Sequence, residues 1–176
     1  MGIAKFSWST RTAALVGALL LGCGDDHDGV GDTTGDTAGS SSSSSTSGGG
    51  DGSLAQLCVD TINMYRETVG KPPYARWSEA EACADGQAKS DSMTGTAHGA
   101  FAECGEWAQN ECPGWPSDPA ADSLTGCLAQ MWAEGPGMDF NTHGHYINMS
   151  SDKYTKVACG FYTTPSGDLW IVHDFQ

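Results

Sequence analysis

The groups best suited to chemistry in this 176-residue chain are its histidines, of which there are five. Two of them, His143 and His145, stand one residue apart in the segment His143–Phe161, followed by Tyr146 and Asn148. That segment runs on through Val157, Cys159 and Phe161, an alternation with the period of a half-buried strand. A polar cluster delivered by a loop onto the end of a strand is a common way to build a site. A third histidine, His98, opens a stretch to Pro119 that holds Glu103, Glu106 and Glu111 with two cysteines and two tryptophans. Glu134 falls in the last turn of a helical pattern, where the helix dipole disfavours a negative charge, and so points to a partner cation or a bound group. Neither metal-dependent hydrolysis nor nucleophilic catalysis finds support in a known motif. The chain has no H-E-x-x-H helix and no G-x-S-x-G elbow, and Ser150 and Ser151 read as turn residues.

The elements that must position these groups occupy only part of the chain. Lys5 and Arg11 precede an apolar run from Ala13 to Leu21, the length of a signal-peptide core and too short to cross a bilayer. The run ends Leu20-Leu21-Gly22-Cys23, which looks like a bacterial lipobox. Residues 1–22 are then a lipoprotein signal peptide, and Cys23 is the acylated anchor; stable anchoring takes more than one chain. Residues 23–52, rich in Gly, Ser, Thr and Asp, have almost nothing to bury and read as a disordered acidic tether. Residues 53–176 remain as one domain. With 16 acidic residues against 6 basic, its net charge is −10, which excludes phosphate-driven binding to nucleic acid.

Seven cysteines are an odd number for an exported chain, and assigning Cys23 to lipid leaves Cys58, Cys83, Cys104, Cys112, Cys127 and Cys159. Three disulfides are the expectation in an oxidising compartment. Cys104 with Cys112 would be a local bridge and Cys127 with Cys159 a helix-to-strand one, among fifteen possible connectivities.

Helical period is clear in three places. Leu54, Leu57, Cys58, Thr61, Ile62 and Tyr65 form one stripe, opened by a Ser53–Gln56 capping box and stopped by Gly70. Asn63 and Arg66 lie off that stripe, on what reads as a solvated face. A second helix opens at a Ser78–Glu81 capping box and ends at Gly95, with Ala80, Ala84 and Ala88 on a narrow face able to lie close to whatever it covers. Leu124, Cys127, Leu128, Met131 and Trp132 mark a third helix, ended by Gly135 and Pro136. Residues 98–119 read as loop with one short strand. Tyr154–Thr164 and Leu169–Phe175 form a hairpin across Pro165-Ser166-Gly167-Asp168. Helices first and strands last argue for an α+β fold.

Taken in order, INMYRETVGKPP, Trp77, His98, Gly105-Glu106, Met131-Trp132, GHYINM and YTKVACGFY resemble the CAP superfamily of cysteine-rich secretory proteins, antigen 5 and pathogenesis-related 1 proteins. The resemblance covers nearly the whole domain and implies a three-layer α-β-α sandwich with a central antiparallel sheet. It also implies a cavity of two His and two Glu: His98, Glu106, Glu134 and His145. Of these, His98, Glu106 and His145 would be metal ligands, with His143 a further candidate from the same loop. Trp107 replaces the more usual Asn after Gly-Glu, and Glu134 follows Trp132 by two residues instead of three. Imidazoles and carboxylates suit Zn2+ or a similar divalent cation.

The function expected is therefore a non-catalytic binding module, held outside the cell on its lipid tether and taking a small-molecule, lipid or protein ligand. The alternative is a metal-dependent hydrolase using a water bound at His98, Glu106 and His145.

Overall fold

The stripe from Leu54 to Tyr65 forms helix α1, Gly52–Glu67, with Cys58 and Ile62 fully buried along it. The computed structural model describes residues 52–176; the expected signal peptide, the expected lipid attachment at Cys23 and the expected tether up to residue 51 lie outside the described residues. After α1 come β1 (Ala75–Arg76), α2 (Ser78–Thr94), β2 (Ala108–Pro116), α3 (Ala120–Ala133), α4 (Phe140–Ser150), β3 (Lys156–Thr163) and β4 (Asp168–Phe175). None of the described helices is long and apolar enough to cross a membrane.

The strands form one sheet in the order β1-β3-β4-β2. Its three long strands are antiparallel, and the two-residue β1 runs parallel to β3. Alternation gives the sheet two different faces. Cys112, Val157, Cys159, Phe161, Leu169, Ile171 and Phe175 point to one side, where they pack with Ile62 of α1, Leu124 and Leu128 of α3 and Met149 of α4. Val172 on the other side meets Ala84 and Ala88 of α2. A Cβ at Gly160 would lie 2.1 Å from the Ala84 carbonyl carbon, so only glycine lets α2 rest on β3. The small-residue face of α2 thus does what its spacing implied. The result is the α+β, three-layer arrangement.

Two elements depart from the sequence reading. The stretch read mostly as loop contains β2, nine residues long, whose register slips between Cys112 and Trp115. Pro113 and Gly114 sit in that slip, the position where a strand tolerates them. The segment carrying His143 and His145 is helix α4, not a loop leading into a strand. Asp139 caps it, accepting from the Asn141 N–H at 3.0 Å.

The disulfides are Cys58–Cys159, Cys83–Cys104 and Cys112–Cys127, so neither pairing anticipated from sequence forms. Cys112 shares a sheet face with Ile171 and reaches α3. Cys104 belongs to the loop beneath α2, on the far side of the sheet.

Arg66 also departs from expectation: it is 1% exposed, not solvated. Its guanidinium lies 3.5 Å from the Tyr74 ring centre and donates to the carbonyls of Pro72 (2.8 Å), Met149 (2.7 Å) and Ser151 (2.9 Å). A cation at the carbonyl end of α4 satisfies groups a helix leaves unpaired and complements its dipole. Asn63 likewise exchanges two hydrogen bonds with the Tyr74 backbone. At α2 the N-cap position falls on Trp77 and not Ser78, so no side-chain cap forms, and Glu81 instead takes Arg76 in a two-pronged ion pair at 2.6 and 2.8 Å.

Candidate functional site

The loop from Thr96 to Gly105 runs beneath α2, and it is hung from carboxylates. The amide of His98 donates to Glu111 Oε2 (2.6 Å) and that of Ala100 to Asp91 Oδ1 (2.9 Å). Those of Ala102 and Cys104 donate to the two oxygens of Glu106, at 2.5 and 3.0 Å. Every second amide is thus held by a buried acid, and Cys83–Cys104 pins the end of the run. This scaffold holds His98 and Ala102 at φ of 61° and 74°, left-handed backbone that residues with a Cβ adopt at a cost.

From this loop the His98 ring meets Gln109 of β2, with Nδ1 2.9 Å from Oε1. Bonding fixes which atom of the amide faces the ring. The Ala100 carbonyl can only accept, so Gln87 turns its NH2 toward it at 2.9 Å and toward Glu106 at 2.7 Å. Gln87 Oε1 is left to accept from Gln109 Nε2 at 3.0 Å, and the same nitrogen donates to Asp174 Oδ1 at 3.0 Å. Gln109 therefore presents its oxygen to His98, and Nδ1 carries the proton. The lone pair is on Nε2.

His145 is fixed in a parallel way from the other side. Its Nδ1 lies 2.5 Å from Glu134 Oε1, while Glu134 Oε2 takes the amides of His145 (3.0 Å) and Tyr146 (3.3 Å). The charge stranded at the end of α3 thus finds its partner in His145. Tyr146 packs on Trp132 of α3 with ring centres 4.5 Å apart, which keeps α4 in register with that carboxylate. Asn110 of β2 donates to the His145 carbonyl at 3.1 Å and accepts from Asn148 at 2.9 Å, joining α4 to the sheet.

The two imidazoles line one hollow of about 100 Å³, together with Gln109, Asn110, Glu134 and Asn148. Their side chains stay 44% and 37% exposed, open to a ligand. Sharing His98, Gln109, Phe140 and Asn148, a larger apolar groove of about 360 Å³ extends the hollow between Phe101, Trp107 and Tyr154.

Of the expected residues, the structure brings His98, Glu134 and His145 together and leaves Glu106 out. Glu106 is 4% exposed, spends both oxygens on the loop and Gln87, and does not line the hollow. Gln109 stands there in its place. His143 does not line it either; its Nδ1 meets the Glu134 and Gly135 carbonyls at 2.8 and 3.0 Å and so caps α3. Among the described residues, the one close set of three metal-capable side chains is Cys104, Glu106 and Asp174, in which the Cys104 sulfur is already bridged.

Beneath the hollow the sheet buries ionisable groups. Burial, with a smaller electrostatic effect from the neighbouring His145, pushes the His173 imidazole down to about 3, so the ring is neutral. Burial raises Asp174 to about 7, which its bond from Gln109 opposes and the neighbouring Glu106, Glu111 and Asp91 assist. Burial likewise raises Glu111 to about 7, against the His98 amide bond, and raises Asp91.

With this geometry in view, comparison with known families is decisive: the cysteine-rich secretory protein family, CAP, matches residues 59–175. The chain belongs to the CAP family. No curated protein matches it significantly. Among solved structures, Na-ASP-1 superposes with a TM-score of 0.57 at 16% identity, over 81% of this chain and 43% of that one. BmVAL-1 gives 0.54 at 14% identity, over 73% of this chain and 79% of that one. Hookworm Platelet Inhibitor gives 0.50 at 13% identity, over 72% and 70%. At these identities the likeness is one of fold. The chain thus spans less than half of Na-ASP-1, and its own hollow must carry any functional reading.

Within the CAP domain nothing in the sequence singled out Gln109, whose place at the hollow is set by strand β2 and by its bond to Gln87. The aromatic wall of Phe101, Trp107, Phe140 and Tyr154 carried no spacing signal either.

Proposed function

We propose that this CAP domain is a non-catalytic binding module, held outside the cell by a lipid on Cys23 and the tether that follows. Its ligand site is the hollow between His98 and His145. A disulfide-braced CAP domain is the build of an extracellular protein. The observation that carries the reading is that both imidazoles have Nδ1 engaged, by Gln109 and by Glu134, while lining the same hollow. Orientation of a ring through its second nitrogen is how proteins prepare a histidine to receive a ligand or a cation.

A divalent cation such as Zn2+ fits this donor set in part. His98 and His145 would supply two nitrogens, and Glu134 would stand behind His145 as its orienting carboxylate. Catalytic zinc sites take three protein ligands, and the third expected here, Glu106, is spent inside the fold. The hydrolase alternative loses its carboxylate for the same reason. Calorimetric titration of the purified protein with Zn2+ and with candidate ligands tests the reading. Binding that disappears in both H98A and H145A supports it, and binding indifferent to both variants overturns it.

A further inference from the structure

We propose that the hollow and the apolar groove together take a short neutral oligosaccharide. This rests on the hollow being the ligand site, and it names the chemical class that site accepts. The aromatic rings are the first observation. Trp107 is 66% exposed, Phe140 60% and Phe101 45%, and all three wall the same groove. Exposing that much aromatic surface on one side of a small domain is costly unless something covers it.

Charge narrows what that is. The groove and hollow contain no Lys or Arg, and the domain carries a net charge of −10. A phosphate, sulfate or carboxylate would find no cation to pair with and would meet a repulsive field. Nor does a plain hydrocarbon chain fit. The groove is lined by Gln109, Asn148 and His98, the hollow adds His145, and covering these polar groups with hydrocarbon would leave their hydrogen-bonding capacity unmet. Among the described residues, the Nε2 atoms of His98 and His145 and the Asn148 Oδ1 accept no protein hydrogen bond.

A neutral sugar satisfies both halves. Each pyranose ring offers a face of C–H groups that lies flat on an aromatic ring, and its edge of hydroxyls both donates and accepts. Flat aromatic walls beside imidazole and amide groups match that pattern. The groove's roughly 360 Å³ lies at the small end of ligand sites, which limits the occupant to a short segment.

The test is calorimetry and tryptophan fluorescence on the whole protein with maltohexaose, cellohexaose and chitohexaose. Oligogalacturonate serves as the anionic probe and myristate as the apolar one. The proposal expects at least one neutral oligosaccharide to bind, oligogalacturonate not to, and W107A to weaken binding about tenfold or more. Substitution of the exposed Met64 on α1, M64A, should leave it unchanged. Absence of binding by all three neutral sugars at millimolar concentration, or affinity unmoved by both W107A and F140A, overturns it. Uptake of myristate alone, lost in W107A, overturns the sugar assignment while leaving the site itself in place. Binding of any probe that ignores W107A, H98A and H145A alike removes both.

Discussion

Gln109 accepts the Nδ1 proton of His98 at 2.9 Å, at the end of a chain of amides that starts from the Ala100 carbonyl. Each link is forced by the one before it, because a carbonyl oxygen cannot donate. The loop that carries His98 and the strand that orients it are therefore coupled through Gln87 of α2. A site whose tautomer is set by buried bonding keeps its shape before any ligand arrives, which lowers the cost of binding.

Glu106 follows from the same network. If it were a cavity ligand, its removal would abolish ligand binding and leave the fold largely intact. The structure instead gives it the amides of Ala102 and Cys104 and the side chain of Gln87. E106A removes the acceptor of two partly buried amides and of the buried Gln87 side chain, each loss costing about 1–3 kcal/mol at most. Urea denaturation should show a loss of roughly 3 kcal/mol or more in E106A, with E106Q falling in between.

Arg66 offers a second test of how the site is held. R66A strips the end of α4 of two carbonyl partners and the loop at Pro72 of a third. We expect a loss of roughly 3 kcal/mol, since bonds to a charged donor are worth about 1.5–3 kcal/mol each and some recover through water. R66K should rescue little of it, because an ammonium lacks the planar fork. Thermal and urea unfolding of the two variants measure this directly.

These cases show how much of the molecule was legible from sequence. The α1 stripe, the alanine face of α2, the α3 pattern and the closing hairpin were all readable, because each is a local regularity. Helix α4 was not: Gly144 and a run of polar residues hide its one recurring face, His145, Asn148 and Met149. Strand β2 was masked by Pro113, Gly114 and Pro116, tolerated through a register slip that no local pattern shows. Burial of Arg66 depends on carbonyls more than eighty positions away. The disulfide partners were hidden similarly, since the face each cysteine takes is set by the assembled sheet. As for the site, the histidines were legible by residue type, whereas the role of Gln109 depends on a bonding chain through Gln87 that only the folded domain assembles.

The buried acids give the domain a pH dependence of unusual sign. Asp174 and Glu111 are both raised to about 7 from ordinary carboxylate values. The folded state therefore holds protons that the unfolded state releases above about pH 4. Their contribution is complete below that pH and is lost as pH rises through about 7. His173, lowered to about 3, acts oppositely: its contribution is present above the ordinary histidine value near 6.5 and is lost as pH falls toward 3. Between about pH 6.5 and 7 only the carboxylates act, so unfolding free energy should fall with rising pH. D174N mimics the protonated acid and keeps the oxygen that Gln109 donates to. It should flatten that fall and be more stable than the wild type at pH 8, by an amount on the order of a few kcal/mol. Urea midpoints across this range decide it.

The central claim is that His98 and His145 turn matched Nε2 lone pairs into one hollow. Long-range proton–nitrogen NMR of the imidazoles in mildly alkaline buffer tests this most directly, before and during addition of Zn2+. The account predicts the Nδ1–H form for both rings, with the two Nε2 signals shifting together as the cation is added. An Nε2–H form at His98, or a shift at one ring that leaves the other unmoved, would contradict it.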